Sequence, residues 1–119
     1  MSSETKLSRA VQDALALDPR VLAIRVNSGK VRVRGGWMQL ADEGTADLMG
    51  GVAFGSMPIT CRLWALEIKK PGARTDRARA AKQAAFRERV RALGGFAAQV
   101  DSVGAAVEAM KRAKRGDSE

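Results

Sequence analysis

Residues Leu63–Gly72 read LWALEIKKPG, and with the preceding Thr60-Cys61-Arg62 they form the most strand-like run in the chain. Alternation puts Leu63, Ala65, Glu67 and Lys69 on one face and Trp64, Leu66, Ile68 and Lys70 on the other. Glu67 and Lys69 therefore point the same way, about 7 Å apart along the strand. Two charges closing an otherwise apolar strand are costly unless something pairs with them. A metal beside a phosphate would do so. On the doublet alone, however, a strand end with solvated charges is the plainer reading. Pro71-Gly72 ends the run.

Upstream, Asp42-Glu43-Gly44-Thr45 marks a turn, and Asp47 opens ADLMGGVAF, a short strand broken by Gly50-Gly51. If this strand pairs with the Glu67 strand, their polar ends bring Asp47 and Glu67 within reach of one cation. Otherwise Asp47 merely caps the turn. Further back, RVLAIRV alternates with Leu22, Ile24 and Val26 on one face, then Asn27-Ser28-Gly29 turns. KVRVR alternates again toward Trp37 and Leu40. Near the start, Leu7, Val11, Ala14 and Leu15 recur at helical spacing, predicting a helix from Glu4 to Leu17 that Ser2 or Ser3 can cap and Asp18-Pro19 stops. Glu4 lies one turn before Leu7 and Ser8, so it projects toward the buried face. As a first-turn acid it equally complements the helix dipole.

Downstream, Thr75 to Leu93 reads as a long basic helix stopped by Gly94-Gly95. Gln83, Phe86 and Val90 fall at i, i+3 and i+7, placing Gln83 on the packed side, where its amide needs partners. FAAQV is a last short strand, and Ser102 caps a final helix bearing Val103, Ala106, Val107 and Met110. The expected architecture is α/β, a mixed β-sheet flanked by helices in the order α-β-β-β-α-β-α. It forms one domain over residues 1–119, with a frayed basic tail at about 112–119.

Composition restricts the chemistry. The chain has 119 residues, 21 Lys+Arg against 13 Asp+Glu, a formal charge of +8 and no histidine. Nucleophile–histidine catalysis and His-ligated zinc are excluded. The single cysteine, Cys61, can neither build a thiolate metal site nor close an internal disulfide. That leaves carboxylates, lysines and hard cations such as Mg²⁺ or Mn²⁺. A small, strongly basic folded chain attracts polyanions. Its alanine-rich helices suit nucleic acid better than a membrane surface. No apolar h-region or membrane-length segment is present, which predicts a cytoplasmic protein. Arg74, Arg77, Arg79, Lys82, Arg87, Arg89 and Arg91 are answered nearby only by Asp76 and Glu88. Such a run often is only a solvated helix face, yet it also suits phosphate contacts that ignore base sequence. With aromatic content at 4%, base stacking is a weak prospect, and Trp37 and Trp64 read as core or interface residues.

Gly-x-x-Asp at Gly44–Asp47, an apolar strand ending Glu-x-Lys-Lys-Pro-Gly at Glu67–Gly72, a helix with Lys-Gln-x-x-Phe at Lys82–Phe86, then Gly94-Gly95 and a short strand occur in that order. This series resembles the virus-type replication-repair nuclease (VRR-NUC) family of the PD-(D/E)XK nuclease superfamily. The resemblance runs from Glu4 through Asn27-Ser28-Gly29 to Val100-Asp101-Ser102. Gly-Thr-Ala-Asp stands where the superfamily name has Pro-Asp, a variant usual in the VRR-NUC branch.

The resemblance implies a restriction-endonuclease-like core. Asp47, Glu67 and the Ile68 carbonyl would ligate Mg²⁺ or Mn²⁺, with Glu4 completing the shell. Lys69 would orient and help deprotonate the attacking water, and Gln83 would position water or phosphate. Lys70, Arg74, Arg77, Arg79, Lys82 and Arg87 would contact DNA. By the same analogy the protein would be a homodimeric Holliday junction resolvase of a bacterial or phage-infected bacterial cell. A flap or fork nuclease, or a non-catalytic basic DNA-binding protein, are the competing readings.

Overall fold

The computed structural model describes residues 3–26, 30–39 and 42–119. In chain order the elements are α1 (Ser3–Ala16), β1 (Val21–Arg25), β2 (Lys30–Val33), β3 (Gly36–Gln39), β4 (Leu48–Phe54), β5 (Thr60–Ile68), α2 (Arg77–Ala92), β6 (Phe96–Val100) and α3 (Val103–Arg115). Five strands thus precede α2, not the three of the expected order. The difference lies between β1 and β4, where KVRV and GWMQ fold back on each other as a separate two-stranded sheet. The Asn27-Ser28-Gly29 turn, Leu40 and the capping choice Ser2 lie outside the described residues; Ser3 is the first residue of α1.

The main sheet runs β1-β4-β5-β6, antiparallel at the first two pairings and parallel between β5 and β6. The parallel pair is joined through α2, the crossover that parallel strands require. α1 and α3 cover one face. Val11 and Leu15 from α1 meet Leu48, Val52, Trp64, Leu66 and Ile68 from the sheet and Ala106, Ala109 and Met110 from α3 in one dry cluster. α2 covers the other face over β5 and β6, with Val90 and Phe86 against Ala46, Ala65 and Ala97.

β4 is continuous through Gly50-Gly51, so the predicted break does not occur. Gly50 is needed for packing. A Cβ there would lie 1.7 Å from the Leu22 carbonyl oxygen and 3.2 Å from the Trp64 ring. The Trp64 Nε1 donates to the Gly51 carbonyl at 3.1 Å, satisfying the one polar atom of a fully buried indole.

Two other expectations are corrected. In β1, Val21 and Ala23 face the core, whereas Leu22 and Ile24 are exposed. β1 is the edge strand, and α2 does not extend over it. The tail is not frayed from residue 112. α3 continues to Arg115 with Ala113 fully buried, and Ser102 and Gly116 cap its ends. Lys114 pairs with Asp18, the Ala97 amide donates to the Ser118 carbonyl, and Arg91 reaches both Ser118 and Glu119.

Candidate active site

The faces of β5 fall as alternation requires. Trp64, Leu66 and Ile68 join the α1/α3 core, while Leu63 and Ala65 join the α2 side. Glu67 is next on the α2 side and is 4% exposed. The β4–β5 register ends at Leu48↔Leu66. Asp47, one residue beyond, falls opposite Glu67. Cross-strand neighbours place their side chains within about 5 Å, and here the two carboxyl groups lie within hydrogen-bonding reach.

The Asp47 position is set by the loop before it. Gly44 has φ of 91°, and a Cβ there would stand 2.7 Å from Lys82 Cβ and 3.0 Å from the Lys82 carbonyl. Only glycine lets this loop lie directly on α2, one residue from Gln83. The Thr45 hydroxyl and amide both donate to the Asp42 carbonyl, and the Lys82 ammonium pairs with Glu43 at 2.8 Å. At the far end, Asp47 Oδ2 accepts from the Ile68 amide at 2.7 Å. A residue's N–H and C=O in a strand face the same neighbour, so the Ile68 carbonyl is turned to the Asp47 side too. Lys69 is held by its amide, which donates to the Val100 carbonyl at 2.9 Å.

Gln83 sits on the buried face of α2 and donates through Nε2 to Glu67 Oε1 at 2.9 Å. The amide partner demanded by the helix pattern is thus the acid itself. The Glu67 pKa is pushed up to about 8, first by burial, then by the charge of Asp47 and a hydrogen bond with it. Lys69 and Arg87 act in the opposite direction. One nitrogen of Arg87, Nη1, is buried without a hydrogen-bond partner among the described residues.

A cleft of about 160 Å³ opens beside this group, lined by Glu4, Lys69, Arg74, Asp76, Arg79 and Gln83 among others. Glu4 therefore borders Lys69 and Gln83 but does not join the acid pair. It is exposed on the first turn of α1, and among the described residues no group of three or more Asp, Glu, Cys or His is placed to hold a metal ion. The metal shell expected from Glu4, Asp47 and Glu67 together is reduced to two acids and a carbonyl. Those donors do suit a hard cation, and a buried carboxyl group beside a second one is relieved by a proton or a cation between them.

Lys70, Arg74, Arg77 and Arg79 are exposed and form no ion pair among the described residues. Asp76, one of the two acids near them, accepts from the Arg79 amide as the N-cap of α2. Lys82 is committed to Glu43. Arg87 is half-buried, with Nη1 shielded from solvent and its charge acting on Glu67, which its place in a basic run did not signal. Among the described residues no helix is long and apolar enough to cross a membrane. Comparison with family models, with curated proteins and with solved structures finds no match.

Proposed function

We propose that this chain is a metal-dependent, structure-selective DNA endonuclease of VRR-NUC type. The observation behind the reading is the convergence of the Asp47 and Glu67 carboxyl groups, with the Ile68 carbonyl, at the open end of β5. Lys69 follows on the same face of the strand, and Gln83 braces Glu67. Asp47, Glu67 and the Ile68 carbonyl would hold Mg²⁺ or Mn²⁺. A cation bound there polarises a scissile phosphate and lowers the pKa of its water. Lys69 places a point charge where the phosphate gains negative charge, and it orients the attacking water. Gln83 would keep Glu67 oriented for that role through its hydrogen bond. Exposed Lys70, Arg74, Arg77 and Arg79 supply the sequence-independent grip on the backbone.

Water attacks phosphorus and the P–O3′ bond breaks. The products are a 5′-phosphate and a 3′-hydroxyl that takes up the proton. The homodimer and the preference for four-way junctions come from the family resemblance. Two symmetric cuts require two sites, which a two-fold assembly of one-site protomers provides.

The test is incubation of the purified chain with Mg²⁺ or Mn²⁺ and labelled duplex, flap, fork and four-way-junction DNA. Paired nicks near the branch point, lost in EDTA and in Glu67→Gln and Lys69→Ala, are expected. Equal cutting of linear duplex would overturn the junction preference, and cutting only flaps or forks would reassign the substrate. Binding without cleavage under every metal would leave a DNA-binding protein, not a nuclease.

A further inference from the structure

The β2–β3 hairpin stands apart from both sheet faces. Among the described residues its strands pair only with each other, in the register Val31↔Met38, Arg32↔Trp37 and Val33↔Gly36. Trp37 is 68% exposed, and Met38 and Val33 are exposed as well. A lone two-stranded ribbon is marginal in water, and a large exposed aromatic on one is informative.

Charge identifies the occupant. Residues 30–39 contain Lys30, Arg32 and Arg34 and no acid. Arg32 lies directly across the ladder from Trp37, so a cation flanks the indole on one face of the ribbon. An aromatic plane with a neighbouring guanidinium is the combination that stacks on a base while contacting its phosphate. A second copy of this chain, equally basic, would meet like charge there.

Position ties the ribbon to the acid pair. Val26 and Asp42 are the described residues that flank the segment carrying the ribbon. The Val26 amide donates to the Asp47 carbonyl at 2.8 Å, and the Asp42 carbonyl is clasped by Thr45. On one side of that segment Val26 is bonded to Asp47, and on the other Asp42 belongs to the loop that presents it.

We infer that the β2–β3 hairpin is a nucleic-acid-engaging arm, in which Trp37 stacks on an unpaired or branch-point base while Arg32 and Arg34 contact the adjoining phosphates. The inference rests on the nucleic-acid part of the proposed function and not on hydrolysis. It accounts for structure selectivity without base-edge contacts.

The experiment uses the full chain in EDTA, so that binding is read without cleavage. Labelled blunt duplex, 5′-flap and four-way-junction DNAs are titrated by anisotropy, and tryptophan emission is followed with acrylamide. Because Trp64 is fully buried, acrylamide reports chiefly on Trp37. Flap or junction DNA should shield Trp37, and blunt duplex should not. Trp37→Ala should weaken binding to the branched DNAs about tenfold or more, and to blunt duplex less than about twofold. Trp37→Phe should restore most of the loss. Arg32→Gln should weaken all three DNAs and reduce the salt slope by about one.

Equal acrylamide access with and without branched DNA, or wild-type affinity in Trp37→Ala, would overturn the inference. So would Trp37→Ala converting a dimer to a monomer in sedimentation, which would give the ribbon to a second copy. If cleavage is never seen yet Trp37 is shielded, only the nuclease reading fails. If cleavage is seen and Trp37→Ala cuts like the wild type, only the arm fails.

Discussion

The two faces of the main sheet are built from different materials. Toward α1 and α3 the sheet presents Leu48, Val52, Trp64, Leu66 and Ile68, all fully buried. Toward α2 it presents Ala65 and Ala97, with Ala46 from the loop before β4 and the half-buried Met49 and Leu63, against Val90 and Phe86. Large side chains on the first face fill a thick dry layer, where burial of each contributes about 1.5–3 kcal/mol. Small ones on the second bring α2 close, and the same face ends in Glu67, Asp47 and Gln83. One face supplies stability; the other spends part of it to hold Glu67 out of water beside a half-buried Asp47. A strand can do both because its side chains alternate.

This contrast can be broken from either side. The largest effect is expected on the dry face. Trp64→Ala removes an indole that fills the centre of the core, and should cost about 3–5 kcal/mol of unfolding free energy, read from urea denaturation. A loss under about 1 kcal/mol would mean that the α1/α3 core does not organise the fold.

The polar face should show itself in pH dependence. Glu67 has its pKa raised in the folded state from 4.5 to about 8. Between those values the folded chain binds more protons than the unfolded one, so stability should fall as pH rises. The contribution is fully present below about pH 4.5 and is lost through about pH 8, on the order of a few kcal/mol. Denaturant midpoints measured in EDTA across that window should show the decline. Glu67→Gln should flatten it. Added Mg²⁺ or Mn²⁺ should oppose it most at high pH, where Glu67 is ionised. A wild-type slope that Glu67→Gln leaves unchanged would assign it elsewhere.

Gly44→Ala sharpens the comparison at the loop. Its φ of 91° and the 2.7 Å approach to Lys82 Cβ leave no room for a methyl group. The expected cost is about 1–3 kcal/mol, with cleavage reduced further than thermal stability because Asp47 moves. Retained cleavage at wild-type rate would show that the close approach does not position the acid. The smallest effect is expected at Lys82→Ala. Its pair with Glu43 is more than half exposed on both sides, so the change should stay under about 1 kcal/mol. A larger loss in thermal melts would make the pair a clamp on the loop.

Much of this was legible in the strand pattern. Alternation assigned Leu63 through Ile68 to their observed faces of β5, and the i, i+3, i+7 spacing put Gln83 on the buried side of α2. The β1 face was misjudged because alternation gives two faces without saying which one a helix covers, and α2 stops short of the edge strand. The glycines misled where they seemed to break β4, since Gly50 is there to admit Trp64 and the Leu22 carbonyl. Glu4 shows the limit of helical spacing. It lines the cleft with Lys69 and Gln83, but which neighbour a first-turn side chain meets depends on where α1 docks. From the sequence Trp37 reads as a core or interface residue; it is exposed, so it is not core, because the ribbon that bears it joins neither buried cluster among the described residues.

By itself the sequence determined the period of each element, the charge of the surface and the absence of histidine chemistry, because these follow from local order and composition. Only the tertiary structure decided that Asp47 and Glu67 meet, that Gln83 donates to Glu67, and that Arg87 is half-buried while Trp37 is exposed. Those facts depend on strand register and helix docking, which are set by packing between segments far apart in the chain.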